Sequence, residues 1–114
     1  ALDEHGKPNI GPFSCGGTIT IENGSHKVTK SGQYWAFAHF SRHVRRGAKV
    51  FATSGLAPAP RDAAVTHCGF IHPDGKRVLV IANRGAEEQV QVVMGSQAVD
   101  VDLPADSVHT MEWT

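Results

Sequence analysis

Eleven carboxylates, seven histidines and a Ser-Cys-Gly-Gly run are the groups in this 114-residue chain with chemistry to offer. Glycosidic cleavage needs two carboxyl groups of opposed acidity, one to donate a proton and one to attack or activate water. Here the acids, from Asp3 and Glu4 through Asp100, Asp102, Asp106 and Glu112, fall in turns or on the polar face of alternating segments. None has an apolar setting that would raise its pKa for acid duty. The reading is that the chain holds no catalytic residue. His39 and His43 stand four apart and would share a helix face, as a zinc pair does. No Glu follows His39, and the spacing supplies no third ligand, so neither a metal nor a cofactor is expected. Ser14-Cys15-Gly16-Gly17 lacks the Gly-x-Ser-x-Gly elbow and is too short to cradle a phosphate; a tight turn accounts for it. Cys15 precedes that Gly-Gly turn while Cys68 sits in an apolar strand, and both are read as free thiols rather than a bridge.

Charge narrows the partners. Eleven basic and eleven acidic residues cancel, which gives no basis for electrostatic capture of nucleic acid. The one concentrated run, Arg42, Arg45, Arg46 and Lys49, reads as the solvated C-terminal turn of a helix. No apolar run approaches the roughly 20 residues that span a bilayer, so no transmembrane segment is expected. The start at Ala1, without Met or signal peptide, reads as a cut inside a longer polypeptide. Trp35 and Trp113 are the only tryptophans, a thin basis for a platform that stacks on sugar rings.

These side chains must be held by elements, and the periodicities name them. Residues 1–17 read as loop, broken by glycines and prolines. Residues 18–22 alternate before Asn23-Gly24, the strongest short hairpin signal, so a two-residue turn is expected with Ile19 opposite Val28 and Ile21 opposite His26. A helix is expected over 31–45, with Ser31 as N-cap and Gly47 as stop. Its stripe is Tyr34, Phe37, Ala38, Ser41 and Val44. Trp35 and Phe40 lie off that stripe, which makes two faces apolar and calls for a neighbour outside the chain. From Lys49 the period becomes two. Strands are expected at 48–54, 64–71, 77–83, 88–94, 97–103 and 107–113, separated by turn residues. Val78-Leu-Val-Ile81 is apolar on both faces and should be central; Val99-Asp-Val-Asp-Leu103 should turn one face to core and one to water. The fold class is mainly β: an antiparallel sandwich with a leading hairpin and one amphipathic helix.

Several motifs, in order, resemble glycoside hydrolase family 30, the relatives of lysosomal glucosylceramidase. They are Ala1-Leu-Asp-Glu-His-Gly-Lys-Pro-Asn9, Gly11-Pro-Phe-Ser-Cys-Gly-Gly17, Gly32-Gln-Tyr-Trp-Ala-Phe-Ala-His-Phe-Ser41, His72-Pro-Asp-Gly75, Val78-Leu-Val-Ile-Ala-Asn83 and Leu103-Pro-Ala-Asp-Ser-Val-His-Thr110. The resemblance covers essentially the whole chain. It implies that residues 1–47 are the end of a (β/α)8 barrel and 48–114 a C-terminal β-sandwich. The catalytic glutamates would then lie upstream, on barrel strands. It further implies that Asp3, Asn9 and Phe13 line the active-site mouth, and that the partners are the barrel of the same polypeptide and a β-linked glycoside. A secreted or periplasmic parent enzyme is implied as well. The alternative, from another class, is an independent carbohydrate-binding sandwich module.

Overall fold

A computed structural model describes residues 2–6, 16–55 and 64–114. Among these residues nine strands and one helix run in the order β1 (Leu2–Asp3), β2 (Ile19–Ile21), β3 (Val28–Lys30), α1 (Gly32–Ser41), β4 (Lys49–Phe51), β5 (Val65–Ile71), β6 (Arg77–Asn83), β7 (Glu88–Met94), β8 (Gln97–Leu103) and β9 (Ser107–Trp113). Among the described residues no helix is long and apolar enough to cross a membrane. The chain divides into two compact units, residues 1–38 and 39–114.

The second unit is an antiparallel sandwich. Its larger sheet has the order β4-β5-β6-β9, and the smaller pairs β7 with β8. Strand alternation sorts the side chains. On β6, Leu79 and Ile81 face the smaller sheet and form with Val65, Val90 and Leu103 one buried cluster, against which Val92, Val101, Met111 and Trp113 pack. Val78 and Val80 point the other way and are also buried, at 0% and 3% exposure. Strand pairing places Phe70, Thr110 and Glu112 on that same face. Phe40 meets Phe70 edge-on at 6.1 Å, and His39 Nδ1 lies 2.9 Å from Thr110 Oγ1. The central, doubly covered strand expected from Val78–Ile81 is what the pairing shows. The alternation of β8 holds only in part: Asp100 and Asp102 face water, while Leu103 is buried. Val93, 62% exposed, shares the outward face of β7 with Gln89 and Gln91, and Val99, near the Gly95-Ser96 end, is 42% exposed.

In the first unit, β2 and β3 form the expected hairpin, joined by β1 in parallel. That parallel strand lies where the sequence reads as loop. The register also differs from expectation: Ile19 faces Lys30 and Ile21 faces Val28. A four-residue turn, 23–26, closes instead of a two-residue one, with Glu22 N–H on the Lys27 carbonyl and His26 N–H on the Glu22 carbonyl, both at 3.0 Å. The cause is Asn23. Its backbone N–H donates to Glu4 Oε2 at 2.8 Å and its side-chain amide to Asp3 Oδ2 at 3.1 Å, so it is held by β1 rather than by a tight turn. The slip is an even number of residues, so Ile19, Ile21 and Val28 keep one face.

Ser31 caps α1 as expected, its Oγ accepting from Tyr34 N–H at 3.4 Å. The helix ends at Ser41 rather than 45. The Phe40 carbonyl accepts both His43 N–H (3.2 Å) and Val44 N–H (2.7 Å), which tightens the last turn. Arg45 N–H then points at His72 Nε2 at 3.5 Å. Gly47, at φ 91°, serves the next turn, in which Ala48 N–H reaches the Arg45 carbonyl. No residue of α1 is buried: Trp35 is 56% exposed, Phe37 64% and Phe40 41%.

Candidate functional site

The sandwich contains a cleft of about 260 Å³ between its sheets. Val65, Leu79, Ile81 and Val90 form its floor, Phe51, Met94 and Trp113 stand at its walls, and His67 and Thr53 bring polar atoms. Phe51 takes its place because its partner across the strands is Gly69. A Cβ there would lie 2.5 Å from Phe51 Cζ, so the ring lies flat over bare backbone. His67 uses both nitrogens: Nε2 meets the Gly55 carbonyl at 3.0 Å, and Nδ1 lies 2.8 Å from Thr53 Oγ1. A carbonyl only accepts, so Nε2 carries the proton and Nδ1 takes the Thr53 hydroxyl hydrogen. That imidazole has no lone pair left to act as a base. A serine–histidine contact on β9 is equally spent. Ser107 Oγ donates to the Pro104 carbonyl at 2.6 Å, leaving its oxygen to accept from His109 Nε2 at 3.0 Å. A hydroxyl that accepts from its histidine is not activated by it.

The carboxylates point in the same direction. Glu112 receives Lys76 Nζ at 2.6 Å and His43 Nδ1 at 2.9 Å, and those hydrogen bonds hold its pKa down to about 2. Glu4 is lowered as well, mainly by the Asn23 N–H. Both are held as anions, the wrong state for a proton donor. Asp100 and Asp102 accept from Gln91 and Gln89 across the β7–β8 pair.

Of the three residues suggested for substrate contact, Asp3 ends β1; its Oδ1 accepts from His5 N–H at 3.0 Å and its Oδ2 from Asn23. Asn9 and Phe13 lie outside the described residues, as does Cys15. Cys68 is a free thiol. His39 and His43 do not share a helix face, since α1 stops between them; each ring turns to a different residue of β9. Burial, followed by its two histidine neighbours, pushes the His39 pKa down. Among the described residues no group of three or more metal-ligating side chains is assembled. Trp113 packs at the edge of the core, while Trp35 is exposed with Lys30 Nζ 5.2 Å from its ring centre.

Two polar residues that sequence reasoning passes over prove to be structural centres. Asn83 is 2% exposed. Its amide nitrogen meets the carbonyls of Ala86, Leu103 and Pro104 at 2.7–3.1 Å, and its oxygen accepts from Gly85 N–H at 2.8 Å. One side chain thus joins the β6–β7 turn to the β8–β9 turn. An Asn just before Arg84-Gly85 is a turn signal, but nothing in the sequence reports its burial. His72, 4% exposed, anchors the β5–β6 turn, and its Nδ1 has no partner.

The geometry is that of a packed sandwich with an apolar cleft, and the comparisons match that fold. A family model described as the glycosyl hydrolase family 30 beta sandwich domain matches residues 47–111. An endo-1,6-β-D-glucanase of Aspergillus fumigatus is 33% identical over 102 residues, 88% of this chain and 20% of that protein. A Caenorhabditis elegans protein with the provisional name glucosylceramidase 3 is 24% identical over 115 residues, 98% of this chain and 21% of that protein. The crystal structure of SrfJ from Salmonella typhimurium superposes with a TM-score of 0.88 at 30% identity, covering 98% of this chain and 24% of that one. The chain therefore spans about a fifth of the length of the curated relatives it matches. With the sandwich strands lying inside the matched segment save the last two residues of β9, the chain belongs to glycosyl hydrolase family 30 and carries that family's β-sandwich domain.

Proposed function

We propose that this chain is the non-catalytic C-terminal region of a retaining β-glycosidase of glucanase or glucosylceramidase type, and that it packs against and stabilises the catalytic barrel of the same polypeptide. In this reading residues 1–47 are the end of the barrel and 48–114 the supporting sandwich. Asp3, with Asn9 and Phe13, belongs to the loop at the active-site mouth, and the substrate is a β-linked glycoside.

The observation that carries the reading is the state of α1. Apolar side chains stand on every side of this helix, a composition normal for one surrounded by protein, yet none of its ten residues is buried. Covering a phenylalanine such as Phe37 is worth about 1.5–3 kcal/mol. The test compares the chain with the longer enzyme that carries it. The 114-residue chain is expected to leave aryl β-glucosides intact and to migrate unretarded through a gel containing β-glucan. In the longer enzyme, Phe37→Asp is expected to lower the melting temperature by several degrees with KM unchanged. Hydrolysis by the chain alone, or an enzyme indifferent to Phe37→Asp, would overturn the proposal. Retardation lost on Trp113→Ala would establish a carbohydrate-binding module in its place.

A further inference from the structure

Asn23-Gly24 is a motif whose expected use, a two-residue turn, the fold does not make. The structure gives it another setting. Asn23 and Gly24 are exposed at the tip of the hairpin. Gly24 stands at φ 94°, with nothing within 4 Å of where a Cβ would lie. Its backbone N–H donates to no described residue. The Asn23 carboxamide next to it is the clamp on β1, its nitrogen 3.1 Å from Asp3 Oδ2.

We propose that Asn23 is a site of spontaneous deamidation, and that the reaction releases the clamp between the β1 end and the hairpin turn. The claim stands independently of the chain's reading as part of a glycosidase. The Gly24 nitrogen loses its proton to hydroxide and attacks Asn23 Cγ; Nδ2 takes a proton back from water, restoring the hydroxide, as the Cγ–Nδ2 bond breaks, and leaves as ammonia. The five-membered imide that forms between residues 23 and 24 is opened by one water molecule at either carbonyl, giving aspartate or isoaspartate. Overall, one water is consumed and one ammonia released, with no change of oxidation state. Glycine is the residue that favours this, because it sets no Cβ in the path of the attacking nitrogen, and Asn is among the thermolabile residues. The consequence follows from charge. The product carboxylate accepts and cannot donate, and it would face the Asp3 and Glu4 carboxylates that Asn23 now serves. Like charges at such range repel. The Asp3 bond also restrains the amide before reaction, so Asp3 acts as a brake.

The experiment holds the purified chain in warm, mildly alkaline buffer and follows the tryptic peptide ending at Lys27 by mass spectrometry. A gain of about one dalton at residue 23 is expected, as amide becomes acid, with two products separable by chromatography. Asp3→Ala is expected to raise the rate about fivefold, the weight of one hydrogen bond, and Asn23→Gln to suppress the reaction. Asn23→Asp is expected to speed hydrogen exchange at the residue 23 amide, which the Glu4 bond now protects. An unmodified Asn23 under conditions that convert a synthetic peptide of residues 19–30 would refute the site. Equal rates with and without the Asp3 carboxylate would refute the brake.

Discussion

Every buried hydrophobic residue described in this protein lies in the second unit; in the first, no described residue is buried. The sandwich closes on itself. Val65, Leu79, Ile81, Val90 and Leu103 meet between its sheets, and its other face is covered by Phe40, His39 and their neighbours. The β1 end, the hairpin and the helix start are held instead by polar contacts such as Asn23 with Asp3 and Glu4 and Ser31 with Thr18. Both regions are well ordered in hydrogen-bonding terms, so secondary structure alone does not separate them. What separates them is whether apolar surface has found a partner, the dominant source of folding free energy. On that measure one unit has a closed core, while the described residues of the other have none.

The comparison breaks first at Asn83. Replacing it with leucine leaves the Gly85 N–H and three carbonyls without their partner, at about 1–3 kcal/mol for each group left buried and unsatisfied. The variant should lose several kcal/mol in urea unfolding, and an unchanged midpoint would show that the sandwich does not depend on this joint. Next is Gly69→Ala, which drives a methyl into the Phe51 ring. Overpacking of that kind costs about 1–3 kcal/mol, and Phe51→Leu in the same chain should recover most of it. The third test is titration of Glu112. Its carboxyl ionises near 4.5 when unperturbed and near 2 in the fold. A folded pKa below the unfolded one means the contribution is complete above 4.5 and disappears as pH falls toward 2. Glu112→Gln should flatten the melting-temperature profile over that window; a profile identical to the parent's would remove the ion pair from the account. The smallest effect sharpens the contrast from the other side. Phe37→Gln in the isolated chain should change stability by no more than about 0.5 kcal/mol, as exposed positions do.

The strands were readable because their cause is local. The expected strands 64–71, 77–83, 88–94, 97–103 and 107–113 agree with the observed bounds to within a residue, while 48–54 shrinks to Lys49–Phe51; the turns between the long strands carry Pro, Gly or Asp. The hairpin register and the helix end were not readable, and for one shared reason. Asn23 answers to Glu4 and Asp3, nineteen and twenty residues away. Beyond Ser41 the chain answers to Glu112 through His43 and to His72 through Arg45. Such contacts override the propensities that Asn-Gly and Gly47 announce. The site behaved similarly. The lowered pKa values of Glu112 and Glu4 come from Lys76, His43 and Asn23, partners brought in from distant parts of the sequence. The roles of Asn83, His72 and the Phe51–Gly69 contact depend on burial and register, which no single stretch of residues encodes.

The two ends of the smaller sheet invite different treatment by an engineer. At one end Asn83 grips the Leu103 and Pro104 carbonyls, so added residues there would pry apart the joint between layers. At the other, the Gly95-Ser96 bend is exposed, with nothing within 4 Å of where a Cβ on Gly95 would lie. A fluorescent reporter or affinity epitope spliced into that bend would meet little resistance, because tips with few buried contacts accept new sequence readily. The bend thus offers a graft point whose use leaves the packed interior alone.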